Sequence, residues 1–260
     1  MFAAGAKVPS AYTGDEAQIL LRSGVAPIGI GANRYDTAQC LLKKYPATDV
    51  LLLDDGFQHA GLRRDIDIVV IDGLDPFGQE SVVPLGRLRE PLDALGRADI
   101  FVVTRAEDDR RFAAIQLRLK RYQPDAPAFR TRLISLGWHD NAAGTSIGDL
   151  SGRRAAAFCG LGNPQNFWST LDSLGLKTVF RWAFHDHHQY KATDIKRVAD
   201  QARARRSDML VTTEKDRINL PPNVKAALGG LSLVWLEIDL QLDDEPGFFA
   251  ALDEVLVRRG

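Results

Sequence analysis

The sequence predicts an α/β protein built on a mainly parallel sheet. Helix and strand signals alternate along most of the 260 residues. The runs DVLLL (49–53), IDIVVID (66–72) and DIFVVT (99–104) have the hydrophobicity of buried strands, DVLLL that of a strand covered on both faces. A polar, glycine-rich stretch, GWHDNAAGTSIGDLSG (137–152), interrupts the alternation. It divides the chain into an expected core domain over 1–145 and a smaller α/β domain over 146–260.

Taken in order, Gly14-Asp15-Glu16 leads into AQILLRSG, an amphipathic helix with acids in its first turn and Gly24 as its stop. APIGIGA (26–32) reads as a strand and YDTAQCLLKKY (35–45) as a helix. The DVLLL and IDIVVID strands follow, then a helical REPLDALGRA before DIFVVT, and a basic amphipathic helix over 107–121. Beyond the boundary come a strand RAAAFC (154–159), a turn GLGNP, a helix over 165–174 and a short strand over 178–182. A helix over 193–206 and strands DMLVTT (208–213) and LSLVWLEIDL (231–240) complete the pattern.

Composition narrows the function. Lys+Arg 33 against Asp+Glu 34 leaves a net charge of −1, which gives nucleic acid no global field to follow. Cys40 and Cys159 lie far apart in apolar stretches and read as buried thiols of a reducing compartment. No run approaches the ~18–20 apolar residues of a membrane span. The N-terminus lacks the pattern of a signal peptide. A cytoplasmic protein with at most peripheral membrane contact is expected.

Six specified residues, DDGFQH (54–59), follow the DVLLL run. Ligands of parallel sheets sit beyond the carboxyl ends of strands, where Asp54 and Asp55 emerge and are placed to hold Mg²⁺ against phosphates. An Asx turn at Asp55-Gly56 is the plainer reading. Asp15 has two readings as well: a helix start with Glu16 in its first turn, or a carboxylate base or metal ligand. In AFHDHHQY, His185, His187 and His188 around Asp186 suit a general base or its orienter, a zinc site, or a polar loop. PLGRLREP (84–91) presents Arg87, Arg89 and Glu90 from a proline-bounded loop, for surface ion pairs or an anionic sugar phosphate. TTEKD (212–216) reads as a capped helix start or a nucleotide-facing edge. GLGNP lacks the third glycine of a dinucleotide fingerprint and is rejected as one.

In this order, GDE, DDGFQH with RRDIDIVVID, PLGRLREPL, GLGNPQNF, FHDHHQY and TTEKD resemble the tetraacyldisaccharide 4′-kinases of lipid A biosynthesis, from about Gly14 to the C-terminus. The resemblance implies a P-loop-kinase-like core with a second α/β domain, and ATP- and Mg²⁺-dependent phosphoryl transfer. The acceptor would be the 4′-hydroxyl of a tetraacylated glucosamine disaccharide 1-phosphate, met peripherally at the cytoplasmic face of the bacterial inner membrane. It gives Asp15 and His187 as a catalytic pair across the two domains, with Asp15 taking the proton and His187 orienting it. Asp54 and Asp55 take the Walker-B-like position beside Mg²⁺, with Glu16 as a further metal-side carboxylate. Gln58, His59, Arg89 and Glu90 fall on the substrate side, and Glu214, Lys215 and Asp216 on the nucleotide side.

The departure is the Walker A loop: no G-x-x-x-x-G-K-S/T occurs in these residues. The expectation is that Met1 is an internal or misassigned start and that the chain is an N-terminally truncated kinase lacking the first strand of its core. A non-catalytic lipid- or sugar-phosphate-binding remnant and a metal-dependent hydrolase are the rival readings.

Overall fold

Residues 1–8 and 12–259 are described by the computed structural model. The first helix, α1 (Asp15–Ser23), runs from Gly14 and stops at Gly24, whose left-handed φ of 67° suits glycine. Asn33 caps α2 (Arg34–Lys44) by accepting from the amides of Tyr35 and Asp36. After a long irregular stretch come β1 (Ile68–Asp72), a 3-10 segment (Leu92–Arg97) and β2 (Ile100–Thr104). Asp108 caps α3 (Asp109–Leu119), which turns Ile115 and Leu119 inward. Two further strands follow, β3 (Ala128–Asp140), which runs into the glycine-rich stretch expected as a linker, and β4 (Ser146–Ile147), which lies within it.

The rest follows the expected alternation. It comprises β5 (Arg154–Cys159), α4 (Pro164–Ser173) with proline in its first turn, and β6 (Lys177–Ala183). Then come α5 (Ala192–Ala204), β7 (Met209–Thr213), α6 (Glu214–Ile218) and α7 (Val224–Leu228). β8 (Ser232–Leu242) and α8 (Glu245–Arg259) end the chain's described part.

Two compact units result, each assembled from separate stretches of sequence. The first takes Met1–Gly31 and Ser135–Ile238, the second Ala32–Ile134 and Asp239–Gly260. In the first, β6, β5, β7 and β8 pair in that order, all parallel. Residues of β5 alternate between two layers. Ala155, Ala157 and Cys159 meet Phe167, Trp168 and Leu171 of α4, while Ala156 and Phe158 meet Ile195, Val198 and Ala199 of α5. Alanine at most of these positions lets helices approach both faces, and the apolar spacing of α5 matches the 3.6-residue helical period. In the second unit β1, β2 and β3 pair in parallel, with Phe101 and Val103 of β2 buried against Ile115 and Leu119 of α3.

Several expectations are corrected. Residues 50–53 form no strand: Val50 is 71% and Leu52 94% exposed. A hydrophobic run becomes a buried strand only where a neighbouring strand and a covering layer meet it, and β1 pairs with β2 instead. For the same reason β1 is not fully covered, and Val70 is exposed. APIGIGA makes one isolated antiparallel bridge, Phe2 to Ile28, because Pro27 and two glycines weaken a strand there. REPLDALGRA contains a 3-10 segment rather than an α-helix. Cys40 is exposed, whereas Cys159 is buried as expected and its thiol pKa is pushed up to about 12, chiefly by burial and then by Asp216.

Candidate functional site

In the first unit, the parallel order of β6, β5 and β7 brings their carboxyl ends to one edge. Gly160 follows β5, the 184–188 turn follows β6, and α6 begins directly at the end of β7. Asp216 ties these ends together. It is 1% exposed and accepts from the Gly160 amide at 2.7 Å and the Tyr190 hydroxyl at 2.7 Å. The Thr213 hydroxyl donates to its other oxygen at 2.6 Å and accepts from the Asp216 amide at 3.1 Å, capping α6. Burial raises the Asp216 pKa, and hydrogen bonds from Thr213, Tyr190 and Gly160 partly offset the shift.

On this frame stand His187, Asp186 and Lys215. The His187 amide donates to Gly160 O at 3.3 Å and to Asp186 Oδ1 at 3.0 Å. Lys215 Nζ lies 3.5 Å from His187 Nε2 and 3.5 Å from Asp186 Oδ1, and His187 Nε2 is 3.7 Å from Asp186 Oδ2. His187 has φ 55°, a costly conformation for a non-glycine residue, which persists where surrounding contacts over-determine it. An imidazole, a carboxylate and an ammonium thus converge at a strand-end edge, the first two half-exposed and the lysine side chain less so.

Glu214 faces a different neighbourhood. Burial, and then Glu237, raise its pKa against the pull of Arg217, Arg22 and His139. His139 bonds Glu237 at 2.6 Å and stacks on Trp235 at 4.3 Å. The structure therefore splits TTEKD: Lys215 points to His187, Asp216 into the core and Glu214 to the β8 side. The α1 helix packs against α6. Asp15 and Glu16 open α1, and their side chains lie outside the described residues.

The second unit gathers the remaining candidates. Asp55, at φ 53°, pairs with Arg89 at 3.0 Å, and Asp54 beside it is exposed. Both carboxylate oxygens of Glu90 accept from one nitrogen, Arg97 Nη2, at 2.9 and 3.0 Å, and that guanidinium lies over Phe57 at 4.4 Å. Burial would raise the Glu90 pKa, but hydrogen bonds from Gln58 and Arg97 hold it below the usual carboxylate range. These two loops border a cleft of about 360 Å³ lined by Phe57, Gln58, Arg87, Arg89 and Glu90. His59 donates its amide to Gly56 O, and its carbonyl accepts from Arg64 at 2.7 Å.

No group of three or more potential ligands among the described residues is placed to hold a metal ion by itself. Mg²⁺ bound with a nucleotide needs less, one or two carboxylates plus phosphate oxygens and water. The adjacent carboxylates of Asp54 and Asp55 fit that mode. A closed zinc site of the histidines does not fit, since His188 and His185 bond each other.

A model of the tetraacyldisaccharide-1-P 4′-kinases (LpxK) matches residues 2–257. This chain belongs to that family. Relatives named tetraacyldisaccharide 4′-kinase include those of Halothermothrix orenii, 37% identical over 79% of this chain and 57% of the relative. Another, from Anaeromyxobacter dehalogenans, is 38% identical over 97% of this chain and 68% of the relative. The chain thus spans less than two thirds of the first of these LpxK relatives. A crystal structure of LpxK from Aquifex aeolicus in complex with ATP aligns over 98% of this chain and 73% of its own, with a TM-score of 0.68 and 24% identity. That likeness carries the fold, an α/β LpxK fold as expected.

Three residues outside the expected site belong to this strand-end edge or brace it. They are Gly160, Tyr190 and Asp194. Gly160 had a signal in the sequence, a glycine directly after a buried strand: a Cβ there meets His185 O at 3.0 Å and His188 Cβ at 3.1 Å. Tyr190 carries no local signal, because its partner Asp216 is set by the packing of α6, whereas Asp194 is an acid in the first turn of α5 that accepts from the Lys191 amide, a helix-start position that does not announce its bond to His188.

Proposed function

We propose that the chain carries the acceptor-side and proton-handling residues of a lipid A 4′-kinase. Such an enzyme transfers the γ-phosphoryl group of ATP to the 4′-hydroxyl of a tetraacylated glucosamine disaccharide 1-phosphate. The observation that carries this reading is the convergence of His187, Asp186 and Lys215 at the carboxyl ends of β5 to β7, beside α6, against which the Asp15 helix packs. The family membership supplies the reaction.

In this reading Asp15 accepts the hydroxyl proton and His187 orients Asp15. Lys215 supplies positive charge near the transferring group, where preorganised charge counts most. Bound Mg²⁺ would neutralise phosphate charge beside Asp54 and Asp55. Gln58, His59, Arg89 and Glu90 form the recognition side, where a guanidinium suits an anionic headgroup. Glu214 and Asp216 serve the nucleotide side, Asp216 by holding the strand ends. An acylated acceptor resides in a membrane, so the protein works peripherally at the inner face of that membrane. No described helix is long and apolar enough to cross one.

Transfer from γ-labelled ATP to the acylated disaccharide phosphate tests the reading. The expected result is transfer that falls about 10²–10⁴-fold in Asp15→Asn and His187→Ala, the usual worth of positioned acid–base groups. Wild-type rates in both variants would overturn the roles. Saturable acceptor binding with no labelled product would instead establish binding of the disaccharide phosphate without transfer.

A further inference from the structure

His185, His188 and Asp194 form a hydrogen-bonded chain beside His187. His185 Nδ1 lies 2.9 Å from the carbonyl oxygen of Asp186, and its Nε2 lies 2.8 Å from His188 Nδ1. His188 Nε2 lies 3.1 Å from Asp194 Oδ2, which also accepts from the Lys191 amide at 3.0 Å. Both ends of the chain are pure acceptors, a carbonyl and a carboxylate. Three links therefore need three ring protons, and two neutral imidazoles carry only two. A neutral pair breaks one link; one added proton satisfies all of them.

We propose that His185 and His188 share one extra proton with Asp194 as counter-charge, and that His188 is thereby a positioning residue for His187. The surroundings suit a cation. His188 stacks on Phe184 at 4.5 Å and 20°, and ring faces attract positive charge. Its side chain and that of Asp194 are each 16% exposed, so the pair is only weakly screened. Burial would raise the Asp194 pKa, but the Lys191 amide and the His188 ring hold it low.

Other charged or titratable groups among the described residues also face the relay. Tyr190 meets His188 edge to face at 4.8 Å and binds Asp216, while Arg197 acts on Asp194 from α5. Asp186 and Lys215 lie on the His187 side. The positioning follows from the backbone. The relay grips residues 185, 186 and 188, and His187 stands between them in a conformation that it does not favour by itself.

The positioning claim rests on the reading of His187 as a transfer-site residue; the proton claim does not. Nitrogen-15 spectra of the imidazoles at neutral pH count ring N–H groups directly. The wild type is expected to show three among the four ring nitrogens of His185 and His188. Asp194→Asn, which offers an amide and no charge, should show two, and Asp194→Glu should keep three. In Asp194→Asn the His187 ring signals should move and kcat should fall roughly 10- to 100-fold with KM unchanged, and Asp194→Glu should restore both. Raising the pH of wild-type protein gives the same comparison without a variant: loss of the third ring proton should shift the His187 signals.

Two ring protons in the wild type, or three persisting in Asp194→Asn, would overturn the shared proton. His187 signals that stay fixed while the count drops would overturn the positioning. An intact relay in a protein that transfers no phosphate overturns the kinase reading and leaves the relay standing.

Discussion

The carboxylate of Asp216 accepts the amide of Gly160 at 2.7 Å across 56 residues of sequence. That bond joins the end of β5 to the start of α6, and through Tyr190 to the turn bearing His187. A buried carboxylate thus organises the edge on which the candidate transfer residues stand.

Asp216→Ala strips the Gly160 amide and the Tyr190 and Thr213 hydroxyls of their acceptor in a buried place. A loss of about 3–5 kcal/mol in urea unfolding is expected. Asp216→Asn keeps acceptor capacity and should cost less. The pH dependence has a definite sign. Burial raises the Asp216 pKa, so the native state holds a proton where the unfolded chain has lost it. Its contribution to stability is therefore largest at low pH. It falls as pH rises from the ordinary carboxylate value, about 3.9, to the raised native one. Unfolding curves over that range should show this fall in wild type and lack it in Asp216→Asn.

Gly160→Ala puts a methyl group 3.0 Å from His185 O, 3.1 Å from His188 Cβ and 3.2 Å from Asp216 Oδ1. Two of these three belong to the histidine turn, so the turn must move. The variant should lose about 1–3 kcal/mol of stability, the usual cost of overpacking, and transfer should fall more steeply than stability accounts for. Thermal unfolding with kinetics on the same preparation reads both.

Lys215→Met removes a charge that lies 3.5 Å from both His187 and Asp186 while keeping most of the side chain's volume. Transfer should drop about 10²-fold in kcat with little change in melting temperature, because exposed pairs are worth about 0–1 kcal/mol. A strong loss of melting temperature with unchanged kcat would make Lys215 structural.

Asp55→Ala frees Arg89. Both side chains are more than half exposed, at 71% and 63%, so stability should change by less than about 0.5 kcal/mol. Transfer should still fall severalfold, through metal or acceptor binding. Glu90→Ala should differ, since it also takes from Arg97 Nη2 both carboxylate oxygens that accept from it and loosens the loop over Phe57. Comparing KM for the acceptor in the two variants separates positioning of the loop from direct contact.

Legibility in the sequence followed the range of the interactions. The β5–α4–β6–α5–β7 succession was readable because alternation, caps and 3.6-residue spacing are local. The 50–53 run misled for the opposite reason. Its hydrophobicity says that it prefers a covered place, but pairing belongs to a partner, and β1 pairs with β2. β3 was missed although alternation of polar and apolar residues through AFRTRLIS is itself a strand signal, because its last residues, 137–140, fall in the glycine-rich stretch read as a boundary.

By itself the sequence determined the α/β class, the order of motifs and the family, since each depends on residues within a few positions of one another. The tertiary structure decided which of those motifs act together. It separated Lys215, Asp216 and Glu214, neighbours in one short helix, into three surroundings, because successive helical residues point about 100° apart. It also joined Gly160 and Tyr190 to Asp216, contacts whose partners only the packing of helices on parallel strands could select.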